Sequence, residues 1–316
     1  MPETVEFAHE PVLCAEVVRL LVPEAPRSGL RVLDLTVGLG GHATALLEAL
    51  PADASFVGVD RDTRALGIAE RRLARFGERV RLVHGRFGAI AERVAEAGWQ
   101  GVDLVVADLG VSSMQLDDTA RGFGFRATAD LDMRMDTGSG ATAAEILATV
   151  SESEIADLIH EYGEDRDARR IARAIVRGER PRTTTELRER VAGAVRHRPA
   201  HRDPATLTFQ ALRIAVNREL EELDALLAAL PGCLAAGGRV AILSYHSLED
   251  RRVKTAFRAW SAACTCPPSL LLCRCGGVAR ARLLARGAVQ SGPGEVARNP
   301  RARSARLRAL EWIGGR

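Results

Sequence analysis

The sequence predicts an α/β fold, in which a Rossmann-like, mostly parallel sheet with helices on both faces is interrupted by an inserted all-helical domain. Short apolar runs alternate with helix-forming patterns in the first third of the chain. A glycine-rich turn follows the first run, and the alternation stops after Gln115 and returns near Arg213. Alternating strands and helices are typical of parallel sheets joined by right-handed crossovers. We therefore expect a sheet domain over residues 1–115 and 214–316 and a helical insertion over 116–213.

The apolar runs predict the strands, and the segments between them predict the crossover helices. Strands are expected at 30–35, 55–59, 80–84, 102–107 and 239–243, and the crossover helices at 42–50, 63–76 and 87–97. In a parallel sheet of this kind, ligands bind at the carboxyl ends of the strands. The residues that fall at those ends are Asp34, Asp60, His84 and Asp108.

The insertion is expected to consist of helices joined by short loops. Residues 151–154 and 183–186 carry the spacing of a capping box, which marks the start of a helix. Residues 197–204, HRPAHRDP, predict a loop. Apolar residues then recur at helical spacing from 212 to 227, which predicts one long helix that leads back to the sheet.

The first strand end runs from Asp34 to His42 with the sequence DLTVGLGGH. Its glycines permit a tight turn and let backbone N–H groups approach a ligand, so a nucleoside-type cofactor is expected. The turn also fits the loose dinucleotide fingerprint, with Asp60 placed to bind a ribose hydroxyl. A plain strand-to-helix turn and a helix N-cap at Asp60 are the structural alternatives.

Two features favour S-adenosylmethionine over NAD as this cofactor. Asp34 lies just before the glycines, where a carboxylate attracts a cationic methionine group and repels a pyrophosphate. Asp108 opens the polar, glycine-broken segment 108–136, whose first residues are small and hydroxyl-bearing rather than a hydride-transfer His or Lys. This position suits the group that receives the methyl.

Composition limits the class of protein and points to a polyanionic partner. The chain has 316 residues, is 47% hydrophobic and carries a formal net charge of +3. It lacks an apolar run of the roughly 18 residues that a membrane span needs, and residues 1–10 do not resemble a signal peptide, so a cytoplasmic location is expected. From 251 to 316 fourteen Arg or Lys face two Glu. This local excess favours nucleic acid, with a solvated basic tail as the alternative.

Four of the six cysteines form two CxC pairs, Cys264 with Cys266 and Cys273 with Cys275. Four thiolates can hold a structural zinc ion, although CxC is tighter than the usual CxxC spacing. A redox-labile pair and the absence of any special role are the other interpretations. We therefore assign no metal ligands from the sequence.

Nine short motifs occur along the chain in a fixed order: HEPVL (9–13), DLTVGLGGH (34–42), DRD (60–62), DLGVSSMQ (108–115), RGF (121–123), LDMRMD (131–136), FQALRIAVN (209–217), HSLEDR (246–251) and NPRARS (299–304). Several of these motifs have no general meaning for the fold, so their shared order is more specific than a single glycine turn. Taken together, they resemble over nearly the whole chain the bacterial 16S rRNA cytosine N4-methyltransferase family, known as RsmH or MraW.

The resemblance implies transfer of a methyl group from S-adenosylmethionine to N4 of cytidine 1402 in the decoding region of 16S rRNA. It also implies a substrate-recognition role for the helical insertion and a partnership with the small ribosomal subunit. The residues that it implies for cofactor binding are Gly40, Gly41, His42, Asp60, Phe87, Asp108 and Gln115. For Phe87 there are two interpretations: its ring lies against the adenine, or it is part of the hydrophobic core.

The acceptor amine is a poor nucleophile, because its lone pair is delocalised into the cytosine ring. We expect Asp108, or a backbone carbonyl within 109–113, to accept an N4–H bond and so serve catalysis. His246, Glu249 and Asp250 are second candidates for the released proton, although the same residues also carry the signature of a helix start.

Residues 301–308 alternate apolar residues with arginines, which predicts an edge strand whose charged face binds phosphate. Two other functions stay open at this point. One is a dinucleotide-dependent oxidoreductase, and the other is an RNA-binding module without turnover. The sequence does not distinguish naked rRNA, a precursor or an assembled subunit as the substrate, nor a monomer from a dimer.

Overall fold

The computed structural model of the protein describes residues 10–125, 127–196, 203–264, 266, 270, 274 and 277–314. The chain divides into two compact units, of which one comprises residues up to 110 and from 221 onward, and the other comprises 111–220. His9, most of the loop expected at 197–204, and Cys273 with Cys275 lie outside the described residues. Within them, Cys264 and Cys266 do not form a disulfide. No helix in the described ranges is both long and apolar enough to cross a bilayer.

The first unit contains a seven-stranded sheet in the order β3-β2-β1-β4-β5-β7-β6. The strands are β1 Arg31–Asp34, β2 Ser55–Asp60, β3 Val80–His84, β4 Val102–Asp108, β5 Leu234–Ser244, β6 Ala281–Leu283 and β7 Arg306–Trp312. The first five strands are parallel, and β7 pairs antiparallel with both β5 and β6. The order 3-2-1-4-5 is that of a doubly wound fold, so the predicted Rossmann-like α/β sheet is confirmed.

Both faces of the sheet are buried in β1, β2, β4, β5 and β7, because the side chains of these strands alternate between two apolar layers. In β4, Leu104 and Val106 pack in one layer and Val105 and Ala107 in the other. The helices of this unit are Cys14–Leu21, Gly41–Ala49, Thr63–Leu73, Ile90–Glu96, Glu219–Cys233, Ser247–Ser261 and Pro293–Arg298. Because β1 to β5 are parallel, their carboxyl ends lie at the same end of the sheet.

Two predicted elements differ from the structure. The single helix expected over 212–227 is two helices, Thr206–Asn217 and Glu219–Cys233, because Arg218 between them has a left-handed φ of 52°. The edge strand expected at 301–308 is wrong. Residues 300–304 form a 3₁₀ turn, and β7 lies inside the sheet between β5 and β6, because its apolar residues are buried on both faces.

The second unit is built of helices around its own apolar core. Its helices are Ser113–Asp117, Ala143–Thr149, Glu152–Gly163, Ala168–Val176, Thr184–Ala194 and Thr206–Asn217. Capping boxes begin several of them, as the sequence predicts for 151–154 and 183–186: the Ser151 and Thr183 side chains each accept from the backbone N–H three residues on. Such caps satisfy N–H groups that have no acceptor within the helix.

Residues 121–136 form a hydrogen-bonded backbone network within the second unit. The buried Arg121 donates from Nη2 to the carbonyl oxygens of Arg134 and Met135, each at 2.9 Å. Asn217 joins the same segment from the far end of the unit, accepting from the Met135 N–H at 2.7 Å and donating to the Met133 carbonyl at 2.8 Å. These hydrogen bonds hold the backbone of the segment, so Arg121 and Asn217 have structural roles.

Gly122→Ala is expected to destabilise this backbone network strongly. Gly122 has a φ of 71°, and an added Cβ would clash with the Asp130 carbonyl and lie 2.9 Å from the Asp132 nitrogen. We expect a loss of about 2–4 kcal/mol in the free energy of unfolding, measured by urea denaturation. Gly140→Ala is the matched control, because Gly140 has a similar φ of 80° and no atom within 4 Å of an added Cβ. Equal losses in the two variants would contradict the proposed steric cause.

Candidate functional site

The glycine turn after β1 presents backbone N–H groups at the start of a helix. Gly38 and Gly40 have positive φ values of 51° and 79°, which side chains disfavour. The helix Gly41–Ala49 follows, and no described side chain caps its N-terminus. An added Cβ at Gly41 would lie 3.0 Å from Cγ of Pro11. The first-turn N–H groups lack acceptors within the helix, so the turn can bind acceptor atoms of a ligand.

Asp60 joins the turn to the end of β2. Its Oδ2 accepts from the Gly38 N–H at 2.8 Å, and its Oδ1 accepts from the Asp62 N–H at 2.9 Å. Burial raises the pKa of Asp60, and these two hydrogen bonds act against that shift. The following helix is capped by Asp62, whose Oδ1 accepts from the Arg64 N–H, so the alternative of Asp60 as the N-cap is wrong. A carboxylate has about four acceptor positions, which leaves Asp60 capacity for ligand hydroxyls.

Asp34 is a buried carboxyl group whose loss of hydration is offset by few hydrogen bonds. Its side chain is 2% exposed, and Oδ1 accepts from the Thr36 N–H at 3.1 Å. Burial raises the pKa of Asp34 to about 8, and the negative charges of Asp108 and Asp60 add to this shift. A ligand cation beside Asp34 would favour the ionised form and lower this pKa again. The site therefore selects for positive charge.

Asp108 is held at the end of β4 by neighbours on two sides. Its backbone N–H donates to Thr36 Oγ1 at 2.6 Å, and the Tyr245 hydroxyl donates to Oδ1 at 2.7 Å. His42 Nδ1 lies 3.8 Å from Oδ2, while His42 Nε2 donates to the Val12 carbonyl at 3.0 Å. Burial, followed by the charge of Asp108, raises the pKa of Tyr245 well above its ordinary value. Tyr245 therefore stays protonated and remains a donor to Asp108.

Sequence reasoning missed Tyr245 and Thr36. Tyr245 follows β5 directly, and β5 pairs with β4 in a register that sets Asp108 opposite Leu243. The signal in the sequence was a hydroxyl-bearing residue just after a buried strand. Recognising it required knowing that β5 is the neighbour of β4.

Phe87 and Gln115 have different surroundings. Phe87 is half-buried against the apolar layer, with the Arg61 guanidinium carbon 6.0 Å from its ring centroid. Its partial exposure leaves room for contact with a flat ligand group. Gln115 belongs to the second unit, where its side chain accepts from the Ser112 N–H at 3.0 Å in a capping box. This geometry gives Gln115 a clear structural role.

The second candidates for proton transfer have structural roles. His246 is the N-cap of Ser247–Ser261, and Glu249 closes the capping box. Glu249 also accepts from the Tyr245 N–H at 2.8 Å, which fixes the backbone that carries Tyr245. Asp250 forms a two-point ion pair with Arg308 at 2.7 and 2.9 Å. The remaining strand-end residue, His84, is exposed and contacts the Arg61 carbonyl at 3.1 Å.

Three carboxyl groups thus end three adjacent strands, β2, β1 and β4, beside a glycine turn. These residues fit a ligand that carries a cation, ribose hydroxyls and a flat ring. Asp34 disfavours its own charge until a cation is near, Asp60 offers acceptors, and Phe87 has an accessible face. A pyrophosphate fits poorly, because it would add negative charge to this cluster.

Asp34→Asn is expected to stabilise the protein, with a gain that grows with pH. An unfolded aspartate ionises near pH 3.8, whereas folded Asp34 keeps its proton to about pH 8. The folded state therefore binds more protons in this window, so the stability contributed by Asp34 falls as the pH rises from 3.8 to about 8. Asn has no proton to lose. Calorimetry should show similar Tm values near pH 4 and a variant Tm higher by at least about 2–4 °C at pH 8.

Asp53→Asn is the control for this measurement. Asp53 is exposed, and a hydrogen bond from Ser28 lowers its pKa. Its replacement should give no gain at pH 8. A Tm difference for Asp34→Asn that does not change with pH would contradict the assignment of a buried, protonated carboxyl group.

Comparison with known proteins identifies relatives of the whole chain. The ribosomal RNA small subunit methyltransferase H of Solidesulfovibrio magneticus is 50% identical over 312 residues, which cover 96% of this chain and 95% of the relative. The protein of the same name from Anaeromyxobacter dehalogenans is 51% identical over 315 residues, covering 98% and 99%. That from Geobacter sp. strain M21 is 48% identical over 313 residues, again covering 98% and 99%. The MraW methylase family model matches residues 6–313, and the chain belongs to this family.

Proposed function

We propose that this protein transfers a methyl group from S-adenosylmethionine to N4 of cytidine 1402 in the 16S rRNA of the small ribosomal subunit. Family membership and the names of its relatives support a methyltransferase that acts on small-subunit rRNA. The observation that carries the proposal is the trio of strand-end carboxyl groups, Asp34, Asp60 and Asp108, beside the glycine turn. Such an enzyme would work in the cytoplasm, where ribosomes are assembled.

The cofactor would be held by residues whose local chemistry matches its parts. Asp34 would face the cationic methionine end, the amides of Gly40, Gly41 and His42 would meet its polar atoms, and Asp60 would accept from the ribose. Phe87 would lie against the adenine. When bound, S-adenosylmethionine supplies a methyl group on a positively charged sulfur, which leaves as the neutral thioether.

The chain's own contribution to the chemistry is to orient the amine and accept its proton. Asp108, or a carbonyl within 109–113, would accept an N4–H bond and draw electron density towards nitrogen as the N–C bond forms. The methylated nitrogen carries a positive charge until one proton leaves, and the Asp108 carboxylate would stabilise that charge and receive the proton. Tyr245 donates to Oδ1 of Asp108 and so fixes the orientation of the carboxylate.

The two other candidate functions are less consistent with the site. A dinucleotide-dependent oxidoreductase must bind a pyrophosphate near Asp34, where negative charge is already disfavoured. An RNA-binding module without turnover does not require a partly buried tyrosine that orients a carboxylate. In this proposal the helical unit recognises the substrate. The cytosine must leave its stack to reach the methyl donor.

The decisive experiment supplies the protein with labelled S-adenosylmethionine and small-subunit rRNA lacking the modification. Naked rRNA, precursor particles and assembled subunits should be tested in parallel. Nucleoside analysis by mass spectrometry should find N4-methylcytidine, and mapping should place it at position 1402. Product at another atom or another nucleotide would refute the proposed specificity, and no product with any substrate would refute the activity.

Asp108→Asn should keep measurable affinity for S-adenosylmethionine and lose methylation by about 10²-fold or more, the usual contribution of a proton-accepting group. Asn can still accept from Tyr245, so the fold around the site should persist. Calorimetric titration with the cofactor and single-turnover methylation measure the two properties separately. Unchanged turnover would exclude Asp108 from the reaction.

Tyr245→Phe should lower kcat by about tenfold, because one hydrogen bond to a charged group is lost, and it should change KM for RNA little. If Tyr245 acts through Asp108, it should also shift the pH profile of kcat. Tyr162→Phe removes the chain's other tyrosine hydroxyl, in the second unit, and serves as the control. A loss of stability in Tyr245→Phe with normal kcat would indicate a purely structural role.

A further inference from the structure

A cavity of about 700 Å³ in the second unit is lined almost wholly by arginine. We call it the arginine groove. Five arginines and two alanines line it, and no acidic residue does: Arg170, Arg173, Ala174, Arg177, Arg190, Ala194 and Arg196. Its size is within the range of ligand sites, and its lining has one sign of charge. The methyl-transfer chemistry described above uses none of these residues.

The groove follows from the amphipathic helix Ala168–Val176. Ile171 and Ile175 are fully buried in the core of the second unit, which turns the opposite face outward. Arg170, Arg173 and Arg177 recur at intervals of three and four residues, so they form one stripe on that exposed face. The sequence pattern that buries the isoleucines therefore also aligns the arginines.

Arg190 fixes one wall of the groove. Its Nη1 donates to the carbonyl oxygens of Ala174, Ile175 and Arg177 at 3.3, 3.0 and 2.8 Å. These carbonyls end the arginine-bearing helix, where a cation is favoured by the helix dipole. Arg190 thus has a structural role, because its hydrogen bonds fix the end of the helix that carries the stripe.

The charges of the stripe are poorly compensated. Within the described ranges, neither Arg170 nor Arg177 has a carboxylate within the 4.0 Å of a salt bridge. Arg173 lies 3.6 Å from Glu152, but the two side chains are 74% and 45% exposed, so this pair contributes little. Asp167 accepts from the Arg196 backbone N–H, and it lines an adjoining cavity with Asp157 and Asp165, outside the groove. Clustered like charges of this kind attract an anionic partner.

We propose that the arginine groove binds the phosphate backbone of the RNA substrate, an inference that rests on the proposed function. Arginine pairs with phosphate through two parallel hydrogen bonds, which suits repeated anionic groups. The lining contains no aromatic side chain on which a base could stack, and no amide that could read a base edge. The groove therefore positions the RNA, and base selection belongs elsewhere.

The test compares full-length Arg170→Gln/Arg177→Gln with the wild type. The probe is a 16S rRNA fragment that contains cytidine 1402, titrated by fluorescence anisotropy at several salt concentrations. Each lost phosphate contact should reduce the slope of log K against log salt by about 0.7–0.9, so the double variant should lose about 1.4–1.8. Cofactor affinity and kcat at saturating RNA should stay unchanged, while KM for RNA rises.

Two further variants keep the result interpretable. Arg19→Gln/Arg71→Gln removes two exposed arginines from helices of the first unit and should leave the slope unchanged. Arg170→Lys/Arg177→Lys keeps the charge and should restore most of the slope. Thermal melts should agree for all variants, because exposed substitutions usually change stability by no more than about 0.5 kcal/mol.

The outcomes separate this inference from the proposed function. A wild-type enzyme that methylates, together with a double variant whose affinity and slope match it, would overturn the groove alone. Equal losses in the Arg19/Arg71 control would also overturn it. Weaker binding to assembled subunits with normal binding to naked rRNA would assign the groove to an acidic protein surface instead. A groove-dependent slope in a protein that does not methylate would support the groove and refute the activity.

Discussion

The closeness of the buried Asp34 carboxyl group to the partly exposed Asp108 is the constraint on which the candidate site of the first unit depends. Parallel pairing of β1 with β4 brings their carboxyl ends together, and the Asp108 backbone N–H donates a hydrogen bond to the Thr36 hydroxyl oxygen. Burial and the nearby charge of Asp108 raise the pKa of Asp34 to about 8, so Asp34 is protonated at neutral pH. A cation beside the pair would favour the ionised form of Asp34.

The neighbouring interactions make sense as supports for that arrangement. Asp60 ties the glycine turn to β2, His42 is anchored to the Val12 carbonyl, and Glu249 fixes the backbone at Tyr245. Their hydrogen bonds lie at the edge of a buried sheet, which keeps the strand ends at fixed separations.

Local patterns predicted most of the first unit, because strand ends and glycine turns are short-range features. The four strand-end residues, the turn at Gly38–Gly41 and the two capping boxes followed from spacing alone. Tyr245 did not, because its partnership with Asp108 depends on the order of β4 and β5 in the sheet. The break at Arg218 was also hidden, since apolar spacing continues across a single left-handed residue. The hydrogen bonds of Arg121 to the Arg134 and Met135 carbonyl oxygens were hidden as well, because they join residues 13 and 14 positions apart in a segment without regular spacing.

The contacts of Asn217 also bear on how the chain folds. Asn217 binds the backbone at Met133 and Met135, and Met133 donates to the Arg121 carbonyl, so the beginning and the end of the helical unit meet in one cluster. The conformational entropy lost on closing a loop rises with its length. A helical unit whose two ends are held together shortens the effective loop between β4 and β5, and so lowers that cost. Asn217 is therefore one of the contacts that let β5 join β4 across an insertion of more than a hundred residues.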